Sequence, residues 1–330
     1  MEKDSNVILG LGETGFSYAR YLADRGETFT VLDDAVNPDR LSSLRALFGE
    51  VDVFPITAHS LAKAENIYVS PGIPLSSPAI AENATIDKLH GDVQMFGEMV
   101  TAPFVAITGT NGKSTVAQLV YEIASQQLEK VALGGNIGVP CLDLLDPAVN
   151  LYVLEISSYQ LELASDLSSD VAVVLNLSAD HLDRYTSSRT YFDTKLAVYN
   201  HCRFAVVNRV VDCQLREDVP ILTIGMDPAK GAAEFGMSGD ALTFAGEVLL
   251  LREDLKISGL HNLLNVQAAI AIGLLLDFEI DPMLAAVKSF SGLPHRCELV
   301  AEISGVRYIN DSKGTNPGAM IAAIEGEADN

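Results

Sequence analysis

Cysteine is scarce in this chain of 330 residues: there are four, far apart in the sequence, and they form no C-x-x-C pair. This spacing is typical of neither a zinc site nor a disulfide framework, so free thiols in a reducing compartment are the simplest interpretation. We expect four free thiols, at Cys141, Cys202, Cys213 and Cys297.

Basic residues are also few, because 22 lysines and arginines stand against 44 aspartates and glutamates, giving a formal net charge of −22. A surface this negative repels nucleic acids and anionic membranes, so we expect neither as a partner. Any ligand that carries phosphate must therefore be held by a local site.

Long apolar segments are absent from the sequence. The most apolar region, residues 263–276, is interrupted by Asn265 and Gln267 and is shorter than the roughly 20 residues that a membrane span needs. The first ten residues do not have the cationic and then apolar pattern of a secretory signal. We therefore expect a cytoplasmic protein.

Short runs rich in Val and Ile recur along the chain and are separated by helix-length intervals. These runs do not alternate apolar and polar residues, which is typical of parallel strands covered on both faces. The sequence therefore predicts an α/β fold. The candidate strands are residues 7–9, 29–32, 67–69, 104–108, 151–155, 171–175 and 204–207.

A break near residues 88–102 separates two such blocks. We expect an N-terminal Rossmann-like domain over residues 1–93 and a central P-loop ATPase domain with a parallel sheet over residues 94–298. Residues 299–330 add one strand and one helix, and a single βα unit cannot bury both of its faces. They are either the beginning of a third domain that is cut short, which we favour, or a βα unit docked on the preceding domain.

A first glycine motif, Gly10-Leu-Gly12-Glu-Thr-Gly15, lies between a strand and a helix, and Asp33 and Asp34 follow the next strand. Glycines in this arrangement let the backbone approach a diphosphate at a helix N-terminus, and an acid at that distance suits a ribose. The motif fits NAD and UDP equally well. A tight turn without a ligand is the other interpretation.

A second glycine motif, Thr108-Gly-Thr-Asn-Gly-Lys-Ser-Thr115, also connects a strand to a helix. Its glycines free backbone N–H groups for phosphate oxygens, Lys113 supplies a charge for the β- and γ-phosphates, and the Ser114 hydroxyl suits Mg²⁺. It departs from a strict Walker A motif, since Ile107 stands at the first glycine position. A helix start with an exposed lysine is the alternative.

Polar residues follow two further strands at the edge where open parallel sheets bind ligands. Glu155 stands where a metal-binding acid is expected, and Asp180 and His181 follow another strand, although a helix cap or a structural histidine would explain them too. Lys195 shares a helix face with Phe192 and Leu196. It either extends its amine to water or is buried, uncharged and able to form a carbamate with CO₂.

Taken together, these motifs resemble those of the Mur ligases, from Gly10 to about Glu325. The resemblance is carried by GLGETGFS, SPGIP, ITGTNGKST, GGNIG, LEISSYQLE, NLSADHLDRY, YFDTKLAVY, SGLHNLLN, GLPHRCE and NDSKGTN. It implies three domains, of which the third is Rossmann-like and cut short. It also implies a ligase that uses ATP and two Mg²⁺ to add D-glutamate to UDP-N-acetylmuramoyl-L-alanine through an acyl phosphate, in the synthesis of cell-wall peptidoglycan precursors. We expect this ligase to be a monomer.

The resemblance also implies roles for individual residues. The residues expected to bind the UDP substrate are Gly12, Thr14, Gly15, Asp34, Gly72, Asn136 and Gln160. ATP is assigned to Gly109, Thr110, Asn111, Gly112, Lys113, Ser114, Thr115, Asn265, Arg296, Asp311 and Lys313. The expected catalytic and metal-binding residues are Lys113, Ser114, Glu155, His181 and Lys195, the last as a carbamate. Thr315 is expected to lie on the acceptor side of the site.

The sequence departs from the family in one place and leaves other functions open. Ala35 and Val36 stand where the family often has Thr-Arg, and the family residues that clamp D-glutamate have no counterpart in the chain. The alternatives are another amide ligase such as a folylpolyglutamate synthetase, an NAD-dependent dehydrogenase that uses the first glycine motif, and a non-catalytic switch that closes on ATP.

Overall fold

The computed structural model describes residues 5–51, 53–57 and 61–328. They form two compact units, each built from more than one segment of the chain. The first unit comprises residues up to Thr101, Gly134–Pro147 and Ser157–Leu167. The second comprises Ala102–Leu133, Ala148–Ile156 and the residues from Ser168 onward.

The first unit contains a five-stranded sheet in the order β3-β2-β1-β4-β5, in which every neighbouring pair is parallel. Its strands are β1 (Asn6–Leu9), β2 (Phe29–Leu32), β3 (Val53–Phe54), β4 (Asn66–Val69) and β5 (Leu89–His90). Its helices include α1 (Glu13–Asp24), α2 (Pro38–Phe48), α3 (Pro78–Ala81) and α4 (Asp92–Met99). Because the strands are parallel, the loops that follow β1, β2 and β4 meet at one edge of the sheet.

The apolar runs of the first unit form its core. Val7 and Leu9 of β1 are buried with Ile67 and Val69 of β4. Both strands are buried along their lengths, which is why their sequences do not alternate.

The second unit contains a six-stranded sheet in the order β11-β10-β9-β6-β8-β7. Its strands are β6 (Phe104–Thr108), β7 (Val131–Gly135), β8 (Leu151–Glu155), β9 (Val171–Val174), β10 (Phe204–Asn208) and β11 (Ile221–Ile224). The helices that follow β6 in sequence are α5 (Lys113–Ser125), α6 (Ser158–Leu161), α7 (Ser188–Leu196), α8 (Leu260–Leu275) and α9 (Ile280–Ser289). Of these, α6 belongs to the first unit.

Two antiparallel elements complete the second unit. One is a sheet of three strands, β12 (Phe235–Ser238), β13 (Ala241–Phe244) and β14 (Glu247–Leu251). The other is a hairpin of β15 (Glu298–Ile303) and β16 (Val306–Asn310), followed by α10 (Pro317–Ala328). The one strand predicted within residues 299–330 is present as β16, but it pairs antiparallel with β15, which was not predicted, as the three-stranded sheet was not.

The seven predicted strands agree with the structure to within about a residue at each end, so the predicted α/β fold with parallel sheets is confirmed. One face of α5 is apolar and buried, at Val116, Leu119, Val120, Ile123 and Ala124. The four cysteines are free thiols, as predicted. Among the described residues, no helix has the length and apolar character to cross a membrane.

Candidate functional site

The turn after β1 needs its glycines for steric reasons. Gly10 has a φ of +84°, a conformation that residues with a side chain rarely adopt. A Cβ at Gly15 would lie 2.0 Å from the carbonyl oxygen of Gly10, so only glycine lets α1 approach the turn this closely. Gly12 is the N-cap of α1 and has no side chain to occupy the space beyond the helix.

A cavity of about 540 Å³ in the first unit opens at this turn. Five of the seven residues predicted to bind the UDP substrate line it: Gly12, Thr14, Gly72, Asn136 and Gln160. They come from four separate parts of the sequence. The structure thus brings the first glycine motif together with residues of the GGNIG and LEISSYQLE motifs.

The other two predicted residues, Gly15 and Asp34, are not among the lining residues. Gly15 packs against the turn, and Asp34 Oδ1 accepts a hydrogen bond of 2.8 Å from Ile56 N. The lining acid is instead Asp33, whose Oδ2 accepts a hydrogen bond of 2.7 Å from Leu11 N. The side chains of adjacent residues at a strand end point in opposite directions, and the sequence does not show which of the two acids faces the turn.

Gln160 is held in the first unit by a buried network. Its Nε2 donates to Asp92 Oδ2 at 2.9 Å, and its Oε1 accepts from Ser157 N at 3.0 Å. Cys141 Sγ lies 3.5 Å from the same oxygen of Asp92. Burial raises the pKa of the Asp92 carboxyl, although the hydrogen bonds from Gln160 and Cys141 oppose this shift. The sequence analysis missed Asp92, which begins α4.

In the second unit, the phosphate loop connects β6 to α5 as predicted. Gly109 and Gly112 have φ values of +147° and +86°, and a Cβ at Gly112 would lie 2.5 Å from Asn265 Oδ1. The Lys113 ammonium donates to the carbonyl oxygens of Gly109 and Thr110, both at 3.0 Å. Burial lowers the pKa of Lys113, while the Glu155 carboxylate raises it. The amine is therefore folded back over its own loop.

The hydroxyl of Ser114 forms hydrogen bonds with two side chains that are distant from it in the sequence. Ser114 Oγ donates to Glu155 Oε2 at 2.6 Å and accepts from Arg296 Nη2 at 2.8 Å. Glu155 is almost fully buried at the end of β8, next to β6. The predicted meeting of the phosphate loop with a strand-end acid is thus present in the structure.

Lys195 is buried, so the interpretation that its amine reaches water is wrong. Its side chain is among the largest that are fully buried, and its Nζ lies 3.4 Å from Thr108 Oγ1. Burial lowers the pKa of Lys195 well below its usual value, and the charge of Lys113 lowers it further. Tyr191 lies between Lys195 and His181: Nζ is 4.9 Å from its ring centroid and the imidazole 5.9 Å.

A second cavity, of about 580 Å³, lies in the second unit beside the phosphate loop. Seven of the residues predicted to bind ATP line it: Asn111, Gly112, Thr115, Asn265, Arg296, Asp311 and Lys313. His261 and Lys256 also line it, and the sequence analysis assigned neither of them a role. Thr315, predicted for the acceptor side, is exposed and is not among the lining residues.

Asn316 is a further residue that the sequence analysis missed. Its Nδ2 donates to Asn111 Oδ1 at 3.0 Å and to Asp180 Oδ2 at 3.1 Å. Its Oδ1 accepts from Ala319 N at 2.9 Å and therefore caps α10. The phosphate loop, the loop that carries Asp180 and the start of α10 meet at this side chain.

The donor atoms fit Mg²⁺ that arrives with a nucleotide. The described residues contain no group of three or more His, Cys, Asp or Glu side chains able to hold a metal by themselves. Ser114 and Glu155 instead offer two adjacent oxygens, the ligand type that Mg²⁺ prefers when phosphates supply the rest.

Comparisons with known proteins agree with this geometry. The sequence matches the family described as Mur ligase middle domain over residues 107–273, and the family described as Mur ligase MurD-like, N-terminal domain, over residues 4–88.

Relatives of known name are similar over almost the whole chain. The sequence is 44% identical to UDP-N-acetylmuramoylalanine--D-glutamate ligase of Pseudomonas aeruginosa, covering 97% of this chain and 73% of the relative. It is 42% identical to the enzyme of the same name in Marinobacter nauticus, covering 97% of this chain and 74% of the relative. Among solved structures, the MurF ligase of Thermotoga maritima in complex with ADP has a similar fold, at a TM-score of 0.56 and 17% identity, covering 99% of this chain and 75% of that one. The chain belongs to the Mur ligase family.

Proposed function

We propose that the chain is an ATP-dependent ligase that joins UDP-N-acetylmuramoyl-L-alanine to D-glutamate in the synthesis of peptidoglycan precursors. The observation that carries this proposal is the identity of 42–44% over 97% of the chain to ligases named for that reaction. The two cavities support it, since the reaction needs a sugar-nucleotide site and an ATP site. A nicotinamide dehydrogenase would use the first site alone.

The chemistry explains why both sites are needed. A carboxylate is a poor electrophile, so the γ-phosphoryl group of ATP is first transferred to it and gives an acyl phosphate. The amine of D-glutamate then attacks the acyl carbon, a tetrahedral intermediate forms, and phosphate leaves. The protein contributes mainly alignment and electrostatic stabilisation to such a reaction.

Lys113 and Arg296 supply the positive charge at the phosphate loop. The Lys113 ammonium now bonds to two loop carbonyls, and we propose that the β- and γ-phosphates of ATP take over these bonds. Arg296 already contacts Ser114 at the start of α5. In the proposed assignment the second cavity holds the nucleotide, with Asn265, Asp311 and Lys313 in its wall.

We propose two Mg²⁺ sites, one at Ser114 and Glu155 and one at His181 and a carbamate of Lys195. When bound, the metal ions neutralise the two anions that must approach each other in the first step. Lys195 is suited to carbamate formation because its buried amine has a lowered pKa. The neutral amine adds to CO₂ and releases one proton, which changes a buried neutral group into an anion.

The first cavity is the proposed site of the UDP substrate. Gly12, Thr14 and Gly72 would lie along the diphosphate and sugar, and Asn136 and Gln160 would position the muramoyl-alanine. Asp33, which lines the cavity, is a better candidate for the uridine than the predicted Asp34. Gly15 would act indirectly, by letting α1 approach the turn.

We propose a cytoplasmic monomer, with the UDP-substrate domain at residues 1–93, the ATP domain at residues 94–298 and a third domain that starts at residue 299. Residues 134–147 and 157–167 group with the first unit, which supports a role for Asn136 and Gln160 at the substrate of that unit.

The proposed function is tested by trapping the activated carboxylate. The chain is incubated with ATP, UDP-N-acetylmuramoyl-L-alanine and hydroxylamine, and the hydroxamate is measured by mass spectrometry. We expect hydroxamate only when both substrates are present. Its absence from protein that binds both substrates would contradict the proposal.

The acceptor is tested separately, by offering different amino acids together with ATP and UDP-N-acetylmuramoyl-L-alanine. D-Glutamate should give the amide together with ADP and phosphate, whereas L-glutamate and L-alanine should give none. Equal product with L-glutamate would contradict the assignment of the acceptor while leaving the activation step intact.

A further inference from the structure

One side chain in the wall of the first cavity has no role in the assignments above. Arg40 lies in the first turn of α2 and is the only lysine or arginine among the described residues that line this cavity. The ionisable residues that accompany it in the lining are two acids, Glu13 and Asp33. In a chain with a formal net charge of −22, a ligand with two or more negative charges needs a local cation.

The guanidinium of Arg40 lies across the glycine turn. Its Nη1 donates to Leu11 O at 3.2 Å, and its Nη2 is 3.1 Å from Glu13 Oε1. A Cβ built on Gly12 would have Nη1 as its nearest neighbour, at 3.9 Å. The cation therefore stands at the N-terminus of α1, where free backbone N–H groups favour an anion as well.

The local sequence fixes Arg40 in this position. Asn37 Oδ1 accepts hydrogen bonds from Asp39 N and Arg40 N, and Pro38 occupies the first turn of α2. Asp33 ties the preceding loop down by accepting from Leu11 N and Ala35 N. The backbone of Arg40 is thus set before any ligand binds.

Glu13 holds the guanidinium over the turn without preventing its use. The side chains of Arg40 and Glu13 are 38% and 73% exposed, and an ion pair this exposed contributes little to stability. A guanidinium has five donors in a planar fork that matches phosphate oxygens, so a diphosphate competes well for it.

We infer that Arg40 binds the diphosphate of the sugar nucleotide in the first cavity, and that this diphosphate replaces Glu13 as its partner. The inference rests on the proposed function, since it takes the first cavity as the sugar-nucleotide site. It adds a specificity-determining residue on α2, a helix to which neither the sequence motifs nor the comparisons assign a role.

Three variants of the chain separate this role from a structural ion pair. Arg40→Met removes the cation, and Glu13→Gln removes its present partner but keeps the cation. Arg45→Met removes an arginine on the same helix whose Nε contacts Val51 O and which is not among the lining residues. Binding of UDP-N-acetylmuramoyl-L-alanine and of uridine is measured by titration calorimetry at two salt concentrations.

We expect Arg40→Met to weaken binding of the sugar nucleotide by about 10- to 100-fold, because charge-assisted bonds are lost and two acids remain. Uridine should bind as it does to the unaltered chain, and the dependence on salt should decrease. Glu13→Gln should bind the sugar nucleotide as tightly as the unaltered chain or more tightly. Arg45→Met should change nothing.

Two results overturn the inference, and they are distinguishable. If Arg40→Met and Glu13→Gln weaken binding equally, or if neither does, the pair is structural and only the role of Arg40 fails. If the unaltered chain does not bind the sugar nucleotide at all, the proposed function fails and the inference fails with it.

Discussion

Ser114 Oγ lies 2.6 Å from Glu155 Oε2, so the first turn of α5 is bonded to the end of β8. The two residues are 41 positions apart in the sequence and are brought together because β6 and β8 are neighbouring parallel strands. Arg296 donates to the same hydroxyl from a third part of the chain. A hydroxyl at the start of α5, a strand-end carboxylate and an arginine thus meet at one point in the second unit.

Lys113→Ala should abolish the ATP-dependent formation of hydroxamate and leave binding of UDP-N-acetylmuramoyl-L-alanine almost unchanged. The reason is that Lys113 belongs to the phosphate loop of the second unit, whereas the sugar-nucleotide cavity lies in the first. Lys288→Ala, which removes the exposed partner of Asp254, serves as the control. Equal loss of both properties in Lys113→Ala would count against separate sites.

Lys195→Ala should lose activity and regain part of it when formate or acetate is added. A short carboxylate can take the place of the carbamate in the space that the truncated side chain leaves. In the unaltered protein, NMR after addition of ¹³C-bicarbonate should show a carbamate carbon that is absent from the variant. Lack of both the rescue and the signal would leave Lys195 as a buried amine with a structural role.

Gly15→Ala should reduce the free energy of unfolding by about 3 kcal/mol or more, since the new Cβ would overlap the carbonyl oxygen of Gly10. Gly72→Ala is the matched control, because Gly72 lines the same cavity and a Cβ there meets nothing within 4 Å. It should change stability by no more than about 0.5 kcal/mol. Denaturant unfolding measures both, and a similar small effect in both variants would contradict the close approach of α1 to the turn.

The free energy of unfolding of Asp92→Asn, relative to that of the unaltered chain, should increase as the pH rises from 4 to 7. Burial raises the pKa of the folded Asp92 carboxyl above its unfolded value, so the folded state binds more protons in this range and loses stability as the pH rises. Asparagine does not ionise and escapes this loss. Unfolding by urea at several pH values measures the difference between the two proteins.

The control for this pH dependence has the opposite sign. Asp87 is exposed, and a hydrogen bond from Thr85 lowers the pKa of its carboxyl. Asp87→Asn should therefore become slightly less favourable as the pH rises over the same range. If Asp92→Asn followed Asp87→Asn, burial would not dominate the titration of Asp92.

The sequence predicts those parts of the fold whose signal is local. Strand β6 is an uninterrupted apolar run, and the glycine loop that follows it is a contiguous motif, so both could be placed to within a residue. The strand-end position of Glu155 was predicted as well, because parallel strands end at one edge.

Other features depend on contacts that no local pattern encodes. The strands of the β12–β14 sheet mix buried with exposed positions and lack the uninterrupted runs of Val and Ile that indicate the parallel strands. Arg40 lies in the first turn of α2, and Asn316 is the N-cap of α10. Both segments have the composition typical of solvent-exposed helix starts, so nothing in their sequence singles these residues out.

The most direct test of the whole account is a crystal structure of the chain soaked with UDP-N-acetylmuramoyl-L-alanine. We predict density for the uridine diphosphate against Gly12 in the first cavity, with its phosphates near the N-terminus of α1. Density for the sugar nucleotide elsewhere, with the turn at Gly12 unchanged and closed to it, would contradict the assignment of the two cavities.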